Sequence, residues 1–108
     1  MIKIGFITTS LHDANAVRGV GAYTRRLLPE LKKQSRNFDI EILEITNPCN
    51  LEPKTYNLIH YPYFDLFNHT LPIIKTTRTV VTVHDVIPLE FPDHYPPGIH
   101  GWLNLQLQ

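Results

Sequence analysis

The run RTVVTVH, Arg78–His84, is apolar on both faces of any strand it forms. A strand of this kind needs cover on two sides. Parallel sheets packed between helical layers supply that cover, whereas antiparallel sheets commonly leave one face wet. Two further stretches have strand character. IKIGFITTS (Ile2–Ser10) sets Ile2, Ile4, Phe6 and Thr8 on one face and Gly5, Ile7 and Thr9 on the other. FDIEILEI (Phe38–Ile45) alternates, with Phe38, Ile40 and Ile42 on one face, Leu43 and Ile45 out of step, and one face wetter than the other. Between these two lies YTRRLLPELKKQ, whose Tyr23, Leu27, Leu28 and Leu31 form a helical stripe. Pro29 interrupts that stripe and predicts a kink or a restart, because it lacks an N–H and crowds the preceding turn.

The remaining segments complete an alternating order. YNLIHYPYF reads as a short strand entering an aromatic loop, LPIIK as a helical turn, and Pro97–Gly98 as the start of a final helix. NPCNLEPKT reads as a turn-rich connection. The sum is the front half of a doubly wound α/β fold, Rossmann-like, with a mostly parallel sheet. Right-handed crossovers and a central first strand predict the strand order 3-2-1-4. The order then reverses between the first and fourth strands, where open α/β sheets bind ligands. With 108 residues there is room for one domain, spanning 1–108. TVVTV would be an edge strand here, with apolar surface exposed, and the last helix stops in mid-pattern. The expectation is therefore an incomplete N-terminal domain of a larger protein.

Composition narrows the partners. Ten Lys and Arg balance ten Asp and Glu, so there is no electrostatic case for nucleic acid or an anionic membrane. The start is too short an apolar run to span a bilayer and does not read as a secretion signal, so Asn68–Thr70 is discounted as a glycosylation sequon. The single cysteine, Cys49, allows no internal disulfide, which fits a reducing, cytoplasmic setting. No histidine pair has helical metal-ligand spacing, so no metal site is expected.

Two chain segments meet at the expected switch point. One is RGVGAYT, in which Gly19, Val20 and Gly21 stand just before the helix. Glycines there let backbone N–H groups reach an anion at a helix N-terminus, or serve a loop that needs positive φ. The dinucleotide fingerprint does not fit, since Thr24 stands where its third glycine belongs, although Glu41 lies about 20 positions on. The other segment is the His84–Asp85 pair. His84 can hydrogen-bond a hydroxyl or titrate near neutrality. Asp85 can orient it, accept from a hydroxyl, or satisfy the backbone of the following turn. His60, Tyr61 and Tyr63 either line an acceptor pocket or close an edge of the core.

Three segments resemble one family. RGVGAYTRRLLPEL is similar to the G-G-I/V-G-x-Y-T/V-x-x-L segment of GT-B-fold retaining glycosyltransferases, a group that includes many mannosyl- and glucosyltransferases. YNLIHYPYFDLF is similar to its D-V/L-I/V-H-x-P-x-F segment, and TVVTVHDVIPLEFPDHYPPG to its T-V/I-H-D-L/I-x-P-L-x-F/H-P segment. The segments occur in the family's order and cover most of the chain. Arg18 replaces the first glycine of the pair, Pro29 interrupts a helix that is ordinarily unbroken, and Asn57 stands where an acidic residue is common.

The resemblance implies two Rossmann-like domains facing a cleft. This N-terminal domain would receive the acceptor, and an absent C-terminal domain with an E-x7-E motif would hold the nucleotide-sugar. Gly19 and Gly21 would approach the donor diphosphate and His84 would contact the transferred sugar. The acceptor would be a sugar or a lipid, no metal cofactor would be required, and contact with the inner face of the membrane is left open. On this expectation the fragment alone is inactive. Two other readings stand beside it: a non-catalytic α/β interaction module or remnant, and a GT-B-fold sugar-nucleotide epimerase.

Overall fold

The computed structural model describes residues 1–48 and 55–108. Cys49 and most of the expected turn-rich connection lie outside the described residues. Four strands form one parallel sheet: β1 (Ile2–Ile7), β2 (Ile40–Ile45), β3 (Leu58–Tyr61) and β4 (Arg78–Val81). One long helix, α1 (Gly19–Ser35), joins β1 to β2. A short helix, α2 (Ile87–Glu90), and a longer one, α3 (Gly98–Leu107), follow β4. Two 3-10 turns, Thr9–Leu11 and Ala14–Val17, fill the segment between β1 and α1.

The expected α/β class and parallel sheet are present, but the strand order is β2-β1-β3-β4 and not 3-2-1-4. The chemistry of β2 explains the difference. Glu41 and Glu44 are only partly covered or exposed, and charged residues of this kind suit an edge strand. The order 3-2-1-4 would have put β2 inside the sheet. Instead β3 takes the place beside β1, with Ile59 and Tyr61 buried. The reversal of order therefore falls between β1 and β3.

Around β1 both faces of the sheet are covered, with Phe6 and Ile7 buried on opposite sides, which accounts for the out-of-step apolar residues in β2. On one face Phe6 lies in register with Glu44 and His60, and Glu44 pairs with Lys32 of α1 at 2.7 Å. On the other, Ile7, Ile45, Ile59, Tyr61 and Leu71 form the main core, with Tyr56 and Phe64 packed against it. β4 is at the edge, and Val80, Val81 and Val83 are exposed as the apolar run led one to expect.

Three local readings change. α1 begins at Gly19, so the glycine pair lies in its first turn and not before it. α1 also runs through Pro29 without a break. Pro29 and Arg25 are both exposed, so the ring faces solvent and the carbonyl deprived of its N–H partner can be hydrated. LPIIK forms bends and no helix. α3 starts where Pro97–Gly98 predicts, with Gly98 at φ +67°.

Candidate functional site

The site begins at the carboxyl ends of β1 and β3. Thr8, which is buried, ties the end of β1 to β2: its N–H donates to the Ile45 carbonyl at 2.9 Å and its hydroxyl to the same oxygen at 3.3 Å. Thr24 donates its hydroxyl hydrogen to Val20 O at 2.9 Å. Ser10 must therefore be the donor in the buried Ser10–Thr24 contact of 3.0 Å. The residue that displaces the third glycine of the dinucleotide fingerprint thus pins the loop after β1 to the first turns of α1.

Asp13 caps the second 3-10 turn by accepting from Asn15 N at 2.7 Å. The backbone of that turn presses on α1. A Cβ added at Gly21 would lie 2.5 Å from Asn15 O and 2.7 Å from Ala16 O, whereas one at Gly19 meets nothing within 4 Å. Neither glycine has positive φ. Gly21 is required by a close backbone approach, and Gly19 by no contact at all. Arg18 gives α1 no side-chain cap, so the orphan N–H groups of the first turn are not satisfied that way.

Asp65 organises the loop after β3. It accepts from Phe67 N at 2.9 Å, Asn68 N at 3.1 Å, Asn68 Nδ2 at 2.8 Å and the Tyr63 hydroxyl at 3.0 Å. Burial works to raise its pKa, but these donors outweigh burial and hold the carboxyl below its ordinary value. Tyr63 is shifted the other way, to about 12, by burial first and then by its bond to Asp65 and the negative charge of Asp65 and Asp13. Gln108 at the end of α3 closes the loop, donating through Nε2 to the carbonyls of Asp65 and Asn68.

His84 reaches back over this loop. Its Nε2 lies 2.8 Å from the Pro62 carbonyl, which can only accept. The ring therefore carries its proton on Nε2 when neutral, and Nδ1 is the remaining acceptor. Tyr23 of α1 meets the ring edge-on, with centroids 4.8 Å apart. Asp85 accepts from Ile87 N at 3.2 Å, the backbone role anticipated as one of its alternatives.

Two clefts result. One, of about 360 Å³, lies at the β1–β3 switch point, where Ser10, Asp13, Asn15, Tyr63, Asp65 and Asn68 are among its lining. The other, of about 270 Å³, includes Arg18, Val20, Tyr63, Asp65, His84 and Asp85. Tyr63 and Asp65 border both.

The expected residues therefore separate into four groups. Val20, Tyr63, His84 and Asp85 share the second cleft. Tyr61 belongs to the core and lines the first cleft from there, and Gly19 and Gly21 line neither. His60 is half-buried on the opposite sheet face from Tyr61, edge-on to Phe6 at 5.2 Å, with Nε2 3.3 Å from Thr82 Oγ1. Burial lowers its pKa. Sequence reasoning missed Asp13, Asn15, Asp65 and Asn68, although D-A-N and D-L-F-N are turn signatures in which an Asp bonds the backbone two or three residues on.

Among the described residues no three His, Cys, Asp or Glu side chains converge as metal ligands would, and no helix is long and apolar enough to cross a membrane. No family model, curated protein or solved structure matches the chain.

Proposed function

We propose that these residues form the acceptor-side domain of a retaining glycosyltransferase of the GT-B plan, which moves a sugar from a nucleotide-sugar to an acceptor hydroxyl. The observation that carries this reading is convergence. Arg18 and Val20, Tyr63, and His84 and Asp85 come from the three segments that resemble the family, and all five line one cleft. A second Rossmann-like domain would form the opposite wall and hold the donor.

Departure of the nucleoside diphosphate is the demanding step. The Arg18 guanidinium and the N-terminal end of α1 are the groups at this cleft that would stabilise that charge, beside the Asp65 and Asp85 carboxylates. His84, with Nε2 held by Pro62, would offer Nδ1 to a hydroxyl of the transferred sugar, a positioning role. Asp85 would keep the turn that carries His84 in place. The reading calls on no metal, and it assigns the protein to the cytoplasm with contact at the inner membrane face left open. The exposed apolar edge of β4 favours a second reading, a non-catalytic module that pairs this strand with another chain.

The test is transfer of labelled sugar by the protein expressed from its complete reading frame. Loss of one charge-free hydrogen bond at the sugar is worth about 1 kcal/mol and a bond to a charged group about twice that, so His84→Ala should lower kcat roughly five- to thirtyfold. Far-UV circular dichroism should not change. Unaltered turnover removes His84 from the site, and absence of transfer from every nucleotide-sugar tried favours the module.

A further inference from the structure

The two adjacent clefts differ in charge. The one beside α1 contains the Asp65 and Asp85 carboxylates, but also the Arg18 guanidinium and the helix N-terminus to offset them. The one at the β1–β3 switch point contains two carboxylates, Asp13 and Asp65, and no Lys or Arg among its described lining residues; His69 is its single basic side chain. The rest of its polar lining consists of hydroxyls and amides, including Thr9, Asn15 and Asn68, with the Tyr63 phenol between the two clefts.

We infer that the switch-point cleft takes an uncharged polyhydroxyl ligand, a free saccharide, and selects against phosphorylated or phospholipid-linked ones. Calling that ligand the acceptor rests on the glycosyltransferase reading; its chemical class rests on the cleft itself. Saccharide hydroxyls are donors that the Asp13 carboxylate, which holds a single donor among the described residues, and the amide oxygens can accept from, while Asp65, its oxygens already taken by four donors, contributes charge. The volume, about 360 Å³, is at the small end of the range for ligand pockets and admits one or two sugar rings. The Tyr63 ring gives the apolar face of a sugar a surface to lie on. A phosphate would instead bring two negative charges against Asp13 and Asp65, with no guanidinium or ammonium among the described lining residues to offset them. Asp65 is firmly ionised, because four donors converge on its oxygens.

The experiment is an amide NMR titration of the chain with methyl α-glucoside, methyl α-mannoside and their 6-phosphates, for the parent and for Asp13→Asn. Asparagine caps turns as aspartate does, so the second 3-10 turn survives the substitution. Neutral glycosides should give saturable shifts at Ser10, Asp13, Tyr63, Asp65 and Asn68. The 6-phosphates should bind there about tenfold more weakly, and Asp13→Asn should narrow the gap to about threefold. Equal or tighter binding of the 6-phosphates in this cleft overturns the inference, as does the absence of saturable shifts there with both glycosides. A parallel transfer assay on the protein from the complete reading frame separates the two claims. Saccharide binding without transfer sinks the transferase reading alone. Transfer only to phosphorylated or lipid-linked acceptors sinks the inference alone.

Discussion

The contact between α1 and the second 3-10 turn gives a pair of substitutions with opposite signs. In Gly21→Ala the new methyl carbon would sit 2.5 Å from Asn15 O, 2.7 Å from Ala16 O and 2.8 Å from Ala16 C. All three are backbone atoms, so no rotamer change relieves them; either the turn or the helix must shift. Overpacking of this kind costs about 1–3 kcal/mol. The helix propensity gained in exchanging glycine for alanine offsets at most about 1 kcal/mol. With the full offset the net loss is about 0–2 kcal/mol, or up to roughly 16 °C in Tm for a domain of this size. Gly19→Ala meets nothing within 4 Å at a negative φ, so the same exchange should stabilise by about 0.4–1 kcal/mol. Thermal and urea unfolding followed by circular dichroism read both variants. A Gly21→Ala protein that melts above the parent would refute the close approach. The first cleft should respond as well, since Asp13 and Asn15 belong to the turn that must move.

Two further predictions concern titration. His60 has a folded-state pKa below its ordinary value of 6.5, so the folded protein binds fewer protons than the unfolded chain just below that pH. Stability should therefore fall as pH drops through that window, and the Tm difference between about pH 7.5 and about pH 5.5 should shrink in His60→Gln; an equal difference in both proteins would clear His60 of the effect. The Tyr63 phenol, shifted to about 12, stays protonated when unfolded tyrosines ionise near 10, so stability is lost as pH rises above about 10. Phenolate absorbance should show a late-ionising group that vanishes in Tyr63→Phe, a variant that also gives up about 1 kcal/mol with the Asp65 hydrogen bond. Loss of amplitude near pH 10 instead would contradict the assignment.

The elements were legible because their signals are local. Two-sided apolar runs gave the parallel sheet, the stripe through Leu28 and Leu31 gave α1, and Pro97–Gly98 gave the start of α3. The helix start was misplaced because Gly19 and Gly21 lower helix propensity, while packing against the Ala14–Val17 turn recovers the difference. The strand order was misread because right-handed crossovers are compatible with both arrangements. The deciding signal was in the sequence all the same: a strand written Ile-Glu-Ile-Leu-Glu-Ile places charges where a central strand would have to bury them, so it belongs at the edge.

That correction bears directly on the site. With β3 beside β1, the switch point joins the loop after Ile7 to the loop after Tyr61, and the residues that meet there are turn formers. Asp13, Asn15, Asp65 and Asn68 look unremarkable in one dimension because each has a sufficient local role, capping a 3-10 turn or closing a loop. Their second role needs two loops about 50 residues apart to face each other, and that depends on the strand order alone. His84 and Asp85 were easier to find because the end of a greasy strand marks them. A cleft assembled from turn residues also accounts for its charge. Turns that open with Asp collect carboxylates, and here two such turns face the same space without a Lys or Arg among the described lining residues. The same local chemistry that folds the loops thus sets which ligands the space between them can accept.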